Sequence, residues 1–313
     1  MPPWRLRVGK QVTYMQPELL IALIAGLGGM FGWGLADFFA KKTIDEVGDI
    51  VSLVWAHVFG TVALIAIALY QHLTSDVGFA SLSDVNLWLY LFFFGALQAA
   101  VYLYVYAGFA QGQVAVLSPI FASFSGLVAV ASIVFFGEAV SSSLILILLC
   151  IFIGVILLSL DFHAIVFRRS VLAAPGVKEI ILATVLATVW TLLWDHFIGG
   201  ADWILYTLVM YASMTLVMYG VARIRKIDLR ITSQKAHVWK FLVLIGVCEI
   251  VAYLAISWGY SATSLTSVVA ILSGAFSLPV IVLARMFLNE RPSVTQTIGS
   301  VVVILGVILL PLT

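Results

Sequence analysis

The sequence predicts an all-α polytopic membrane protein, ten transmembrane helices arranged as two inverted five-helix repeats. Three observations carry that reading. Apolar runs near 20 residues recur from end to end, the length that takes an α-helix across about 30 Å of hydrocarbon. The stretch 104–160 is written again as 256–312: at a constant offset of 152, with no gap, 15 of 57 positions are identical, roughly three times what so apolar a composition gives by chance. Each copy belongs to a half of five spans, and an odd number makes the second half enter the membrane from the opposite side.

The repeat holds through loops as well as through apolar filler. Glu138 falls on Glu290, Phe124-Ser125 on Phe276-Ser277, Ser141 on Ser293, and both copies close on Gly-Val-Ile-Leu-Leu. Residues are 63% hydrophobic and 10% charged, against about a quarter charged in soluble domains, so the chain has too little polar surface to cover itself with. A β-barrel is excluded, because its strands would alternate in polarity over about ten residues. Cys150 and Cys248 lie within apolar runs and read as small packed hydrophobes, not as a disulfide or a structural zinc site.

Residues 1–18 form a polar tail with Arg5, Arg7 and Lys10, and Met15 is a second candidate start. The apolar run that follows is too long for a signal peptide and is stopped by Lys41-Lys42, so it reads as a retained span. The first repeat, 19–160, holds spans over 19–40, 49–70, 86–107, 114–136 and 143–160. A polar hinge over 161–178 carries Arg168, Arg169 and Lys178, with Pro175-Gly176 as a turn signal. The second repeat, 179–313, holds spans over 179–198, 202–224, 239–260, 265–288 and 294–310. Of the Lys and Arg residues, 13 fall at the face of the odd-numbered loops and 3 at the other, which places both termini outside. The loop from Arg223 to Lys240 contributes most; it reads as a topology determinant at the headgroups or as an anionic-lipid site.

Two five-span halves, Trp33-Gly34 in the first span, Ser118-Pro119 in the fourth, Gly137-Glu138 and Asn289-Glu290 after the fourth and ninth, and the repeated Gly-Val-Ile-Leu-Leu ending resemble the drug/metabolite transporter superfamily. The likeness is to its ten-span branch with two EamA-type domains. It implies a substrate cavity near the bilayer midplane, lined by spans 1, 3, 4, 6, 8 and 9, and alternating access by rocking of the halves. It fixes no substrate, since the superfamily handles amino acids, nucleotide sugars, sugar phosphates, nucleobases and lipophilic drugs. It also implies cytoplasmic termini, opposite to the charge count.

Glu249 is the sharpest single signal, a carboxylate at the centre of the eighth span, where charge costs roughly 2.5–3.5 kcal/mol on insertion scales. It reads as a proton-coupling group or a partner for a cationic substrate, against a permanently protonated acid that serves packing. Tyr253 lies one turn along the same face. Gln98 and Tyr102 repeat that spacing in the third span and align with Glu249 and Tyr253 when the repeat is shifted by one residue. Two pseudosymmetric spans thus each offer a polar group and a phenol at mid-depth, as expected where halves face each other across a site, or where they share an interhelical hydrogen bond. His57 reads as a proton relay beside Glu249 or as a neutral ring bonded to a carbonyl. Trp33, Trp190 and Trp258 are candidates to stack on a planar or cationic solute, or core aromatics.

Gly28, Gly32 and Ala36 mark a close helix approach. Asp37 and Lys41 read as a surface pair at a helix end, and Asp195 and His196 as interfacial or gating. Glu138 and Glu290 read as caps on the helix following each, with Pro292 as a helix start and Arg285 able to pair with Glu290.

The loops carry no phosphate loop, partnered nucleophile or His-Glu-x-x-His spacing, so neither an enzyme nor a cofactor or metal is expected. The expected function is secondary transport of a small organic metabolite, an amino acid or similar solute, by efflux through a central cavity with proton coupling. The expected partners are the solute, protons and the lipid bilayer of the cell membrane, with no nucleic acid, in a monomer or homodimer. The alternative is a non-transporting membrane protein, an intramembrane lipid-acting enzyme or an assembly subunit. A central cavity containing Glu249 favours the carrier, and a packed centre with a polar cleft at the loops favours the alternative.

Overall fold

The computed structural model describes residues 16–75, 83–111, 114–159, 175–199, 202–287 and 292–312. Within them the chain is helical: α1 (Pro17–Val47), α2 (Asp49–Thr74), α3 (Val85–Gln111), α4 (Val114–Val134), α5 (Ser142–Ser159), α6 (Val177–Ile198), α7 (Trp203–Ile224), α8 (Val238–Ala262), α9 (Thr266–Gly274), α10 (Ser277–Phe287) and α11 (Val294–Leu309). Taking α9 and α10 together, nine helices among the described residues are long and apolar enough to cross a membrane, and α4 supplies a shorter tenth over Ile120–Val134. The tail over 1–15, the hinge over 160–174 and Asn289-Glu290 lie outside the described residues.

Two helices depart from their expected form for local reasons. α1 runs on past Lys41-Lys42 to Gly48, whose φ of +86° both ends it and starts α2, a backbone shape that suits glycine. The ninth span is broken at Ala275-Phe276. Pro279 stands four residues beyond Ala275; it has no N–H for that carbonyl, and its ring crowds it.

Packing follows the repeat. α1 lies along α8 and also meets α9; α3 lies along α6, which also meets α4; α2 pairs with α7 and α5 with α11. Under exchange of the halves α1–α8 becomes α6–α3, while α2–α7 and α5–α11 map onto themselves, so the interfaces obey one pseudo-twofold axis. The broadest interfaces therefore join one half to the other. Small residues make the closest of them possible: a Cβ on Gly32 would sit 2.7 Å from the Ala252 nitrogen and 2.8 Å from the Cys248 carbonyl oxygen, and one on Gly28 2.5 Å from the Ala255 Cβ, as the small-residue stripe implied. The outward faces carry exposed Leu, Ile, Val and Phe, among them Leu146, Ile153, Val301 and Ile308, the surface a bilayer covers. Cys150 is on the exposed side of α5.

Candidate functional site: a central cavity and a buried histidine–glutamate pair

A cavity of about 710 Å³ enters from the face where α1, α3, α5 and α10 end and reaches the middle of the bundle. α1 gives it Trp33, Asp37 and Asp45; α3 gives Gln98, Tyr102 and Tyr106; α4 gives Ser118 and Phe121. α6 adds Trp190 and Thr191, the break before α10 adds Phe276 and Ser277, and Ser159 and Gln296 come from the outer pair α5 and α11. Its size is that of a small-molecule site. The face it opens on is the Lys/Arg-rich one.

Toward the opposite face the bundle is packed shut. Trp190 and Trp194 stack with centroids 5.6 Å apart; Trp194 Nε1 donates to Ser257 Oγ at 3.1 Å, and Thr207 Oγ1 donates to the same oxygen at 2.9 Å. Above this layer, carboxylates from three elements converge on the start of α9. Glu138 accepts from the Ser267 backbone N–H at 2.9 Å and from its hydroxyl at 2.5 Å. Asp195 accepts from Thr266 Oγ1 at 2.8 Å, and Glu18 from Ser264 Oγ at 3.0 Å. Negative charge suits this helix end. Burial holds the Glu138 carboxyl above its ordinary 4.5, against the downward pull of the two Ser267 hydrogen bonds.

Glu138 is thus a cap, but for α9 of the other half instead of its own α5. Gly137, at φ +70°, turns the chain there, and α5 is served by Ser141, whose Oγ accepts from the Leu144 N–H. The corresponding helix α11 is capped by Ser293 and Gln296 in a capping box; Glu290, with its pairing to Arg285, falls outside the described residues.

Behind the cavity wall, Glu249 and His57 form a buried pair: His57 is 0% exposed and Glu249 4%. His57 Nδ1 lies 2.7 Å from the Leu53 carbonyl oxygen, which only accepts, so Nδ1 carries hydrogen and Nε2 is left to face Glu249 Oε2 at 3.6 Å. His57 is thus bonded to a carbonyl, as one of its two readings expects, and its other nitrogen stands beside Glu249 without a hydrogen bond among the described residues. Tyr211 donates to the same Oε2 at 2.6 Å and stacks on the imidazole at 5.0 Å. Gly60 leaves room for that phenol, since a Cβ there would sit 2.6 Å from the Tyr211 oxygen.

Gln98 Nε2 donates to the Tyr253 hydroxyl at 2.9 Å, and Tyr253 also shares a hydrogen bond with Tyr102. Trp33 stands edge-on to Tyr253 at 5.7 Å, and Tyr102 edge-on to His57 at 5.7 Å. Seven of the eight candidate residues therefore meet: Glu249, His57, Gln98, Tyr102, Tyr253, Trp33 and Trp190, whose ring stands edge-on to Tyr253 at 6.1 Å. Trp258 does not; five residues past Tyr253, it points about 140° around the helix and lies outside the cavity lining. Glu249 is one side chain removed from the cavity, and α8 stands behind the wall where the resemblance implied a lining span.

Two participants escape the sequence reading. Tyr211 had no signal beyond being one tyrosine among eleven. Asp37 reads as a surface residue when the first span ends at 40; with the helix running on, Asp37 is exposed to the cavity. The side chain of Lys41 lies outside the described residues.

A bundle of ten apolar helices built on a pseudo-twofold, with a mainly apolar cavity holding a few polar groups, open at one face and packed shut at the other, is an integral multi-pass membrane protein with the build of a carrier. The chain belongs to the EamA-like transporter family, whose model matches residues 20–160 and 174–312. It is thereby a membrane transporter of the drug/metabolite superfamily, a family of transporters and not of enzymes. One solved crystal structure shares the fold at a TM-score of 0.74, covering 93% of this chain and 96% of its own at 14% identity. No curated protein matches the chain.

Proposed function

We propose that the protein is a secondary active transporter that exports a small organic metabolite of amino-acid size across the cell membrane by alternating access, driven by a proton held between His57 and Glu249. The observation that carries this is the cavity itself, open to one face and closed to the other by side chains from both halves. With the Lys/Arg-rich face inside, the state described is open to the cytoplasm. Because the broad interfaces cross between halves, access changes by movement of the α1–α8 pair against the α3–α6 pair, which face each other across Trp33, Tyr253 and Gln98, and not by rocking of the halves as blocks.

The pair is suited to one proton. With Nδ1 of His57 committed to a carbonyl, Nε2 faces Glu249 Oε2 at 3.6 Å with no hydrogen bond of its own among the described residues, so a proton reaching the pair can sit on either group. The test is uptake into proteoliposomes over a solute panel, wild type beside Glu249→Gln, with and without an imposed pH gradient. The expected result is gradient-driven movement in the wild type and exchange without gradient response in the variant. Equal movement by both under every gradient would remove Glu249 from coupling.

A further inference from the structure

We infer that the cavity selects a protonated amine with an apolar or aromatic body, and that Asp37 is the group that holds its ammonium. This deepens the transporter reading and rests on it. Asp37 and Asp45 are the only charged side chains among the described residues that line the cavity, and neither makes an ion pair with a described cation. They stand on one helix, with Asp45 at the mouth and Asp37 two turns deeper, about 12 Å along the axis. Trp33 is one turn deeper again.

A second, independent feature asks for the same chemistry. Gln98 lines the cavity at 7% exposure, gives its amide N–H to Tyr253, and has no partner for Oε1. A buried acceptor without a donor is costly, and an N–H-bearing head group supplies one. A carboxylate and a free acceptor together favour an ammonium that still carries hydrogens over a quaternary one. Around them Trp33, Tyr106, Phe121, Trp190 and Phe276 offer faces for cation–π contact and for a planar body. A sugar phosphate, a nucleotide or a carboxylic acid would bring an anion into a chamber whose described lining has no cation to meet it.

Phenethylamine, 3-phenylpropionate and 2-phenylethanol share a body and differ in head-group charge. Their binding to the purified full chain is measured by calorimetry, and their movement by counterflow in proteoliposomes, for wild type, Asp37→Asn, Asp37→Glu and Asp45→Asn. The expected result is binding of phenethylamine alone, weakened about tenfold or more by Asp37→Asn, as loss of a charged hydrogen-bond partner implies, and largely kept by Asp37→Glu and Asp45→Asn. Preference for phenylpropionate or the alcohol, no binding of the amine, or indifference to Asp37→Asn with Asp37→Glu equally unchanged overturns the assignment. Counterflow separates the two proposals: a bound but unmoved amine keeps the site and removes the transporter reading, whereas a moved anion keeps the transporter and removes the site.

Discussion

Replacing Glu138 by alanine should open the closed face. The side chain gives the start of α9 two hydrogen bonds, 2.9 Å from the Ser267 N–H and 2.5 Å from its hydroxyl, and Ser267 itself is fully buried. A hydrogen bond contributes about 0.5–1.5 kcal/mol net. Glu138 is half-buried, so about 2 kcal/mol for the two together is the appropriate scale, or about a 30-fold shift toward the state open on that face. Thr263, buried just before α9, is a reporter when changed to cysteine in a background lacking Cys150 and Cys248. Its reaction with a membrane-impermeant maleimide should speed up by that factor in Glu138→Ala. An unchanged rate in a variant of normal elution and helicity would refute the latch.

Other outcomes follow from the same geometry. Glu138 is held above 4.5 by burial, so its protonated form favours the latched state; the stabilisation is complete below 4.5 and fades as pH rises through the raised value, and the ratio of the wild-type maleimide rate to that of Glu138→Gln, in which the thiolate's own pH dependence cancels, should rise over that window. Gly60→Ala would place a methyl 2.6 Å from the Tyr211 hydroxyl oxygen, costing about 1–3 kcal/mol as overpacking; thermal unfolding should show the loss, and gradient-driven uptake should fall more than exchange as Tyr211 leaves Glu249. Pro279→Ala would return an N–H to the Ala275 carbonyl and mend the helix; a higher unfolding temperature with slower counterflow is expected, and faster counterflow would show that the break is incidental.

Much of the fold was legible because membrane spans are set by length and apolarity alone, and because 57 residues recur at one offset. The buried cluster was legible for a similar reason. A carboxylate in the middle of an apolar run stands out, and the four-residue spacing of Gln98–Tyr102 and Glu249–Tyr253 survives from sequence into contact. What was not legible depends on where helices bend and end. Asp37 changes from surface to cavity once α1 runs seven residues beyond 40, to Val47. Glu138 changes helices because a loop between α4 and α5 reaches across to the other half, which no local pattern encodes. Pro279 did carry a usable signal, a proline placed mid-span. Trp258 was grouped with Trp33 and Trp190 on residue type, where its angle around α8 turns it away from the side of Tyr253 that they meet.

Alternating access is tested most directly by double electron–electron resonance on two label pairs in the same reconstituted chain. Met286 with Gln111 spans the mouth of the cavity between α10 and α3, and Ala262 with Asn86 spans the latched face between α8 and α3; all four positions are exposed. Under a pH gradient with phenethylamine present, the first distance should shorten as the second lengthens, and reversing the gradient should reverse both. Two distances that stay fixed while solute crosses would contradict the account, and would describe a pore instead of a carrier.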